Sequence, residues 1–164
     1  MPARLRAWYT AAEIEALGAR QACFRGEFTV TQMRRLAAHL CSENGSVTAD
    51  FTFSTKTSGY VGIEIEIRSN LGATCQRCLE PLELEMSERV EYGVVVDESA
   101  AGLLPEGVEP VVLDGDRLMP LQLVEDELIV AVPMVPKHAS EQCALDSGAL
   151  PEGVFADGDA EPKD

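Results

Sequence analysis

Cys75-Gln76-Arg77-Cys78 is the segment whose residue types and spacing are best suited to chemistry. Two thiolates separated by two residues can reach one tetrahedral zinc, because a tight knuckle turns both sulfurs the same way. A second pair of ligands is then required. His138 and Cys143 supply one, in the loop Pro136-Lys137-His138-Ala139-Ser140-Glu141-Gln142-Cys143. The candidate metal set is Cys75, Cys78, His138 and Cys143, with zinc as the cofactor. The competing reading is two small, partly buried thiols at a strand end, with His138 an ordinary polar loop residue. A thiol-dependent redox enzyme is a third reading, and less well supported. Redox pairs of the thioredoxin type sit at a helix N-terminus, where the dipole lowers the thiol pKa. Here Pro81 and the alternating Leu82-Glu83-Leu84-Glu85-Met86 follow, which is turn and strand chemistry.

Arg34 and Arg35 form the main basic concentration, with Arg20 and Arg25 just before them and His39 just after. Their functional reading is a phosphate-contacting surface, with Arg77 joining them from between the two cysteines; their bland reading is a solvated helix face. No interleaved aromatic and basic stripe of the kind that stacks single-stranded bases accompanies them. Glu125-Asp126-Glu127 does not converge on an ion, since successive helical residues diverge by about 100°, and reads as a solvated acidic face. Asp114-Gly115-Asp116 is a turn signal without the rest of a calcium loop. The chain has two histidines, and neither sits in a nucleophile or metalloprotease motif. No phosphate loop of the Walker or Rossmann type is present. Nothing in this inventory argues for an enzyme.

The elements that must position these residues follow from periodicity. Residues 10–20 read as a short helix capped by Thr10. Residues 23–28 read as a brief strand. Thr29-Val30-Thr31-Gln32 matches a capping box, and a helix from there to about Cys41 would carry Arg34 and Arg35. Asn44-Gly45 ends it. Residues 47–54 and 61–68 alternate apolar and polar side chains, the clearest strands in the chain. Asn70-Leu71-Gly72 reads as a turn into the cysteine pair. Residues 82–86 and 90–96 read as further strands, 97–110 as an acidic loop, and 118–132 as a helix ended by Pro133 and Pro136. Short connections between neighbouring strands imply an antiparallel sheet. The expected fold is α+β: an antiparallel sheet able to curl toward a barrel, flanked by two or three helices. One domain would span residues 1–143, and an acidic tail with little to bury would be mobile over residues 144–164.

Charge divides the chain. Its 164 residues carry a net charge of -15. Residues 1–78 hold nine basic and seven acidic side chains, while residues 79–164 hold four basic and 21 acidic ones. The second part repels nucleic acid at long range, so only the first part can offer phosphates a local patch. With 46% apolar residues the chain can bury a core. No apolar run approaches the roughly 18 residues of a membrane span, and residues 1–6 lead into no apolar segment of a secretory signal. A cytoplasmic protein with reduced cysteines is the expectation.

Cys75-Gln76-Arg77-Cys78-Leu79-Glu80-Pro81 resembles the signature of the YceD family, the large ribosomal RNA subunit accumulation proteins. The block from Leu118 to Leu128, continued by Val132-Pro133-Met134-Val135-Pro136-Lys137-His138 and then Glu141 and Cys143, is similar to that family's second block. Gly26-Glu27-Phe28 leading to Arg34-Arg35 also fits, so the resemblance covers roughly residues 20–145. It implies support of 23S rRNA synthesis, processing or stability without known catalysis. It also implies that His138 and Cys143 match a zinc-knuckle-like segment found in some members. Residues 151–164 depart from the pattern, being acidic with Lys163 as their only cation, where many members carry a basic tip. The expected partners are large-subunit rRNA, a basic ribosomal or assembly protein, or both, and no membrane. An acidic adaptor that binds the basic protein without touching RNA is the nearest rival.

Overall fold

The computed structural model describes residues 3–140 and 142–143. The tail expected over residues 144–164, and Glu141, lie outside the described residues. Strands β1 (Ala3–Arg4) and β2 (Tyr9–Thr10) precede helix α1 (Ala11–Ala19), and β3 (Cys23–Thr29) follows. A single 3-10 turn, Val30–Gln32, leads to helix α2 (Arg34–Ala37). Then come β4 (Ser46–Thr55), β5 (Val61–Thr74), β6 (Pro81–Val95), a 3-10 segment Glu98–Leu103, β7 (Glu109–Val112), β8 (Arg117–Leu118) and helix α3 (Pro120–Ala131).

The α+β expectation holds. A six-stranded sheet in the order β1-β3-β4-β5-β6-β7 is antiparallel through its four central strands, with β1 and β7 added in parallel at the two edges. The sheet ends in β1 and β7 and does not close into a barrel. Among the described residues no helix is long and apolar enough to cross a membrane.

Period-two patterning decides which face is buried. Val47, Ala49, Phe51 and Phe53 of β4 lie beside Ile63, Ile65 and Ile67 of β5, all essentially inaccessible. The opposite face carries Asp50, Glu64, Glu66, Arg68 and Arg89, tied by ion pairs such as Arg25–Asp50 at 2.7 Å and Arg89–Glu64 at 2.9 Å. Helices α1 and α3 and residues 30–40 cover the apolar face. Ile14 and Leu17 of α1, Met33 and Leu36, and Val124 and Leu128 of α3 complete the core. Tyr9, Phe24 and Phe53 meet there with ring centroids 5.8 to 6.0 Å apart.

Thr10 caps α1 as expected: its hydroxyl accepts the Glu13 N–H, and the Glu13 carboxylate accepts the Thr10 N–H at 2.9 Å. Three elements differ from expectation. The helix read from 29 to 41 breaks at Met33, whose backbone (φ -108, ψ 76) leaves the helical region. Gln32 does accept the Thr29 N–H at 2.9 Å. A new helix nevertheless starts at Arg34, because the Glu125 carboxylate accepts the N–H groups of Arg35 and Leu36. The turn read at 70–72 is strand. Leu71 is fully buried and lies opposite Leu84, with Gly72 opposite Glu83. Residues 82–86 and 90–96 belong to one 15-residue strand, β6. The long β5–β6 hairpin carries Cys75–Cys78 at its tip.

Candidate functional site

The knuckle turn owes its shape to the backbone. Leu79 donates its N–H to the Cys75 carbonyl at 2.9 Å, and Cys75 donates to the Glu80 carbonyl at 2.9 Å. Leu79 sits in the left-handed region (φ +62), an uncommon conformation for a branched side chain. Both sulfurs thereby turn inward, and Cys75 and Cys78 are buried with Ala73 and Leu82 in a small cluster separate from the main core.

The segment after α3 is laid across this tip. Gln76 donates its N–H to the Pro136 carbonyl at 2.8 Å. Arg77 donates through Nη2 to the carbonyls of His138 and Ser140, at 2.5 and 2.9 Å. Pro133 and Pro136 stop α3 and turn the chain back over the hairpin. The result places Cys75, Cys78, His138 and Cys143 with their ligand atoms all within 4.8 Å of one another. Cys75 Sγ lies 4.0 Å from Cys143 Sγ, and Cys78 Sγ lies 3.4 Å from His138 Nδ1. Tetrahedral zinc with Zn–S near 2.3 Å needs sulfurs roughly 3.8 Å apart, so the donor set fits that ion. His138 Nε2 faces the Pro81 carbonyl at 3.2 Å. With the proton on Nε2, that contact leaves Nδ1 free to act as a ligand, the arrangement usual where a histidine binds a metal.

The electrostatics of the cluster are uneven. Burial pushes the Cys75 thiol up, but the N–H groups of Cys78, His138 and Arg77 and the Cys78 thiol outweigh it, bringing its pKa to about 5. Cys143 moves the other way, raised by burial and by its hydrogen-bonded neighbours Cys78 and Cys75. The two shifts run in opposite directions, since negative charge on one sulfur opposes ionisation of the next. A divalent cation removes that opposition, because it binds the deprotonated forms. The same acidity would serve a redox thiol. However, the pair sits in a strand-to-strand turn rather than at a helix start, so no helix dipole supplies it.

The three arginines read as RNA contacts have different surroundings. Arg34 is exposed and makes no ion pair among the described residues. Arg35 holds α2 against α3, through Glu125 at 2.9 Å and Asp126 at 2.5 Å. Arg77 is half-buried and spent on the carbonyls described above. Glu125, read from the sequence as part of a solvated acidic face, is only 6% exposed. Burial raises its pKa, but hydrogen bonds from Arg35 and from the Leu36 and Arg35 N–H groups win, so it falls below the ordinary value. Glu127 accepts a hydrogen bond from the Tyr92 hydroxyl. Burial and that carboxylate raise the Tyr92 pKa. Sequence reasoning missed one further grouping: Trp8 is flanked by the guanidinium groups of Arg117, 4.3 Å from the ring centroid, and Arg6, at 5.5 Å. The pairing of β2 with β8, which sets Thr10 opposite Arg117, brings them together.

A cysteine knuckle closes the long β5–β6 hairpin and is clamped by a His/Cys segment that follows the last helix of an α+β fold. The chain belongs to the YceD family, described as large ribosomal RNA subunit accumulation protein YceD, which it matches over residues 63–162. It is also similar to the large ribosomal RNA subunit accumulation protein YceD of Haemophilus influenzae, with 29% identity over 133 residues, 77% of this chain and 76% of the relative. No solved structure matches the chain. Membership in this family supports a role connected with the large ribosomal subunit or its RNA.

Proposed function

We propose that the protein is a non-enzymatic, cytoplasmic ribosome-biogenesis factor that supports the synthesis, processing or stability of 23S rRNA. The observation that carries this reading is the family match over residues 63–162, a span that contains all four clustered donors. In this reading Cys75, Cys78, His138 and Cys143 hold a structural zinc, a closed four-ligand site with no open position for a substrate. Arg34, Arg35 and Arg77 serve RNA binding, Arg34 by reaching phosphates directly. Arg35 acts chiefly by fixing α2, which presents Arg34, and Arg77 by fixing the knuckle. The test is removal of the gene from its own organism. The ratio of large- to small-subunit rRNA should fall and be restored by the wild-type chain; an unchanged ratio overturns the proposal.

One observation favours a second reading. The polar sheet face presents Glu27, Glu64, Glu66, Glu83, Glu85 and Glu91 against few cations, which suits a basic ribosomal or assembly protein. An adaptor of that kind would associate with rRNA only through its protein partner.

A further inference from the structure

The geometry points to a second, unassigned binding surface apart from the knuckle cluster: a stacking platform for single-stranded RNA built on Trp8. Trp8 is the only tryptophan of the chain. It is neither core nor fully exposed, at 37% of its surface accessible. Arg117 lies over its ring at 4.3 Å and Arg6 at 5.5 Å, and Arg6 also lies over Tyr9 at 5.3 Å. Guanidinium and indole groups held this close offer π-faces on which unpaired bases stack, because every base has a π-face of its own.

The surroundings add cations and base-edge groups. Arg6 stands at the junction of two depressions. One, of about 890 Å³, is lined by Arg4, Arg6, Arg25, Gln32 and Gln122 among others. The second, of about 230 Å³, is lined by Arg6 and Arg20. Arg25 is engaged bidentately by Asp50 and Arg6 pairs with Glu13. Arg4, Arg20 and Arg117 make no ion pair among the described residues. In a chain with 28 acidic against 13 basic side chains, Arg4 and Arg20 in the depressions that meet at Arg6 and Arg117 on Trp8 outnumber Glu27 and Glu13, the carboxylates lining those depressions, and their excess favours an anion. The Gln32 and Gln122 amides, able to donate and accept, suit the hydrogen-bonding edges of a base better than the carboxylates of an acidic peptide. The occupant is therefore an unpaired RNA segment: a base on the Arg117–Trp8 layer, its phosphates toward Arg4 and Arg20.

This inference rests on the rRNA reading above, and its test separates the two. The single tryptophan is its own reporter. Titrating the full chain with an unstructured RNA of about ten nucleotides should quench tryptophan fluorescence saturably. The effect should weaken with salt and be absent with a duplex of the same length. Measured with end-labelled RNA, Trp8→Ala should weaken binding about 5- to 150-fold. Arg4→Gln and Arg117→Gln, surface changes that leave the core alone, should each weaken it and flatten the salt dependence. Absence of quenching overturns the platform, as does wild-type affinity in the Arg117→Gln and Trp8→Ala variants, and so does an equal response to a polyglutamate peptide. In cells lacking the gene, full restoration of 23S rRNA by Trp8→Ala, matching wild type, overturns the platform and leaves the rRNA reading standing. If wild type itself leaves 23S rRNA unchanged, the rRNA reading fails and the oligonucleotide result alone judges the platform.

Discussion

A thiol at 4.0 Å from another thiol and a third at 3.4 Å from an imidazole nitrogen is an arrangement whose stability depends on what sits between them. With zinc bound, the chain should purify with one ion per molecule, and Cys75→Ser should lose it and melt at lower temperature. Metal analysis beside thermal melting checks this; a metal-free wild type whose melting ignores both chelator and added zinc removes the zinc reading. Glu125 makes a second prediction at this scale. It accepts from Arg35 and from two N–H groups that begin α2, so Glu125→Gln should cost about 1–3 kcal/mol. Its folded pKa is lowered from 4.5. The contribution is therefore fully present above pH 4.5 and is lost as pH falls through the folded value. Denaturant unfolding of wild type and variant should give a stability gap that is widest near neutrality and closes in acid; a gap independent of pH would refute it. The cysteines, being few and chemically distinctive, could be grouped from the sequence alone. Glu125 could not, since its partners are residues 35 and 36, and nothing local to the helix announces them.

The β5–β6 hairpin shows why local sequence misleads at the scale of elements. Asn70-Leu71-Gly72 has turn chemistry, yet Leu71 continues the inward series Ile63, Ile65, Ile67 and Ser69 at period two, and Leu84 waits opposite it. Cross-strand burial outweighs turn preference, and the strand runs on to Thr74. The consequence is measurable. Leu71→Ala should cost about 2–5 kcal/mol, as for a fully buried leucine, where a turn residue would cost less than about 0.5 kcal/mol; chemical denaturation distinguishes them. Strands β4 and β5, helix α1 with its Thr10 cap and helix α3 were legible because alternation, capping and helical spacing all agree there. The helix expected over residues 29–41 was half legible. Its Thr29 and Gln32 signal is real, but a carboxylate from α3 restarts the helix at Arg34. The Trp8 platform was not legible, because Arg117 reaches Trp8 only through the β2–β8 pairing.

For the whole molecule, charge separates the two remaining accounts of how the protein acts. Among the described residues Arg4, Arg20, Arg34 and Arg117 stand outside the ion-pair network, while the polar sheet face is bound up in Arg25–Asp50, Arg89–Glu64 and similar pairs with carboxylates to spare. Direct phosphate contact by about three of the free arginines requires log affinity for single-stranded RNA to fall with log salt at a slope near -2. Arg34→Glu, on the exposed side of α2 and apart from the Trp8 stack, should lower that affinity and reduce the slope by about 1, without changing thermal stability by more than about 0.5 kcal/mol. An adaptor would behave otherwise. Its binding to purified rRNA would be weak at every salt concentration, and its attachment to large-subunit precursors would be lost on reversing Glu83 and Glu85 rather than Arg34. Filter binding to naked 23S rRNA across a salt series, with both variants in parallel, decides the matter. A flat salt response with Arg34→Glu equal to wild type assigns the molecule to the protein-binding account, and a steep response lost with Arg34 assigns it to the RNA.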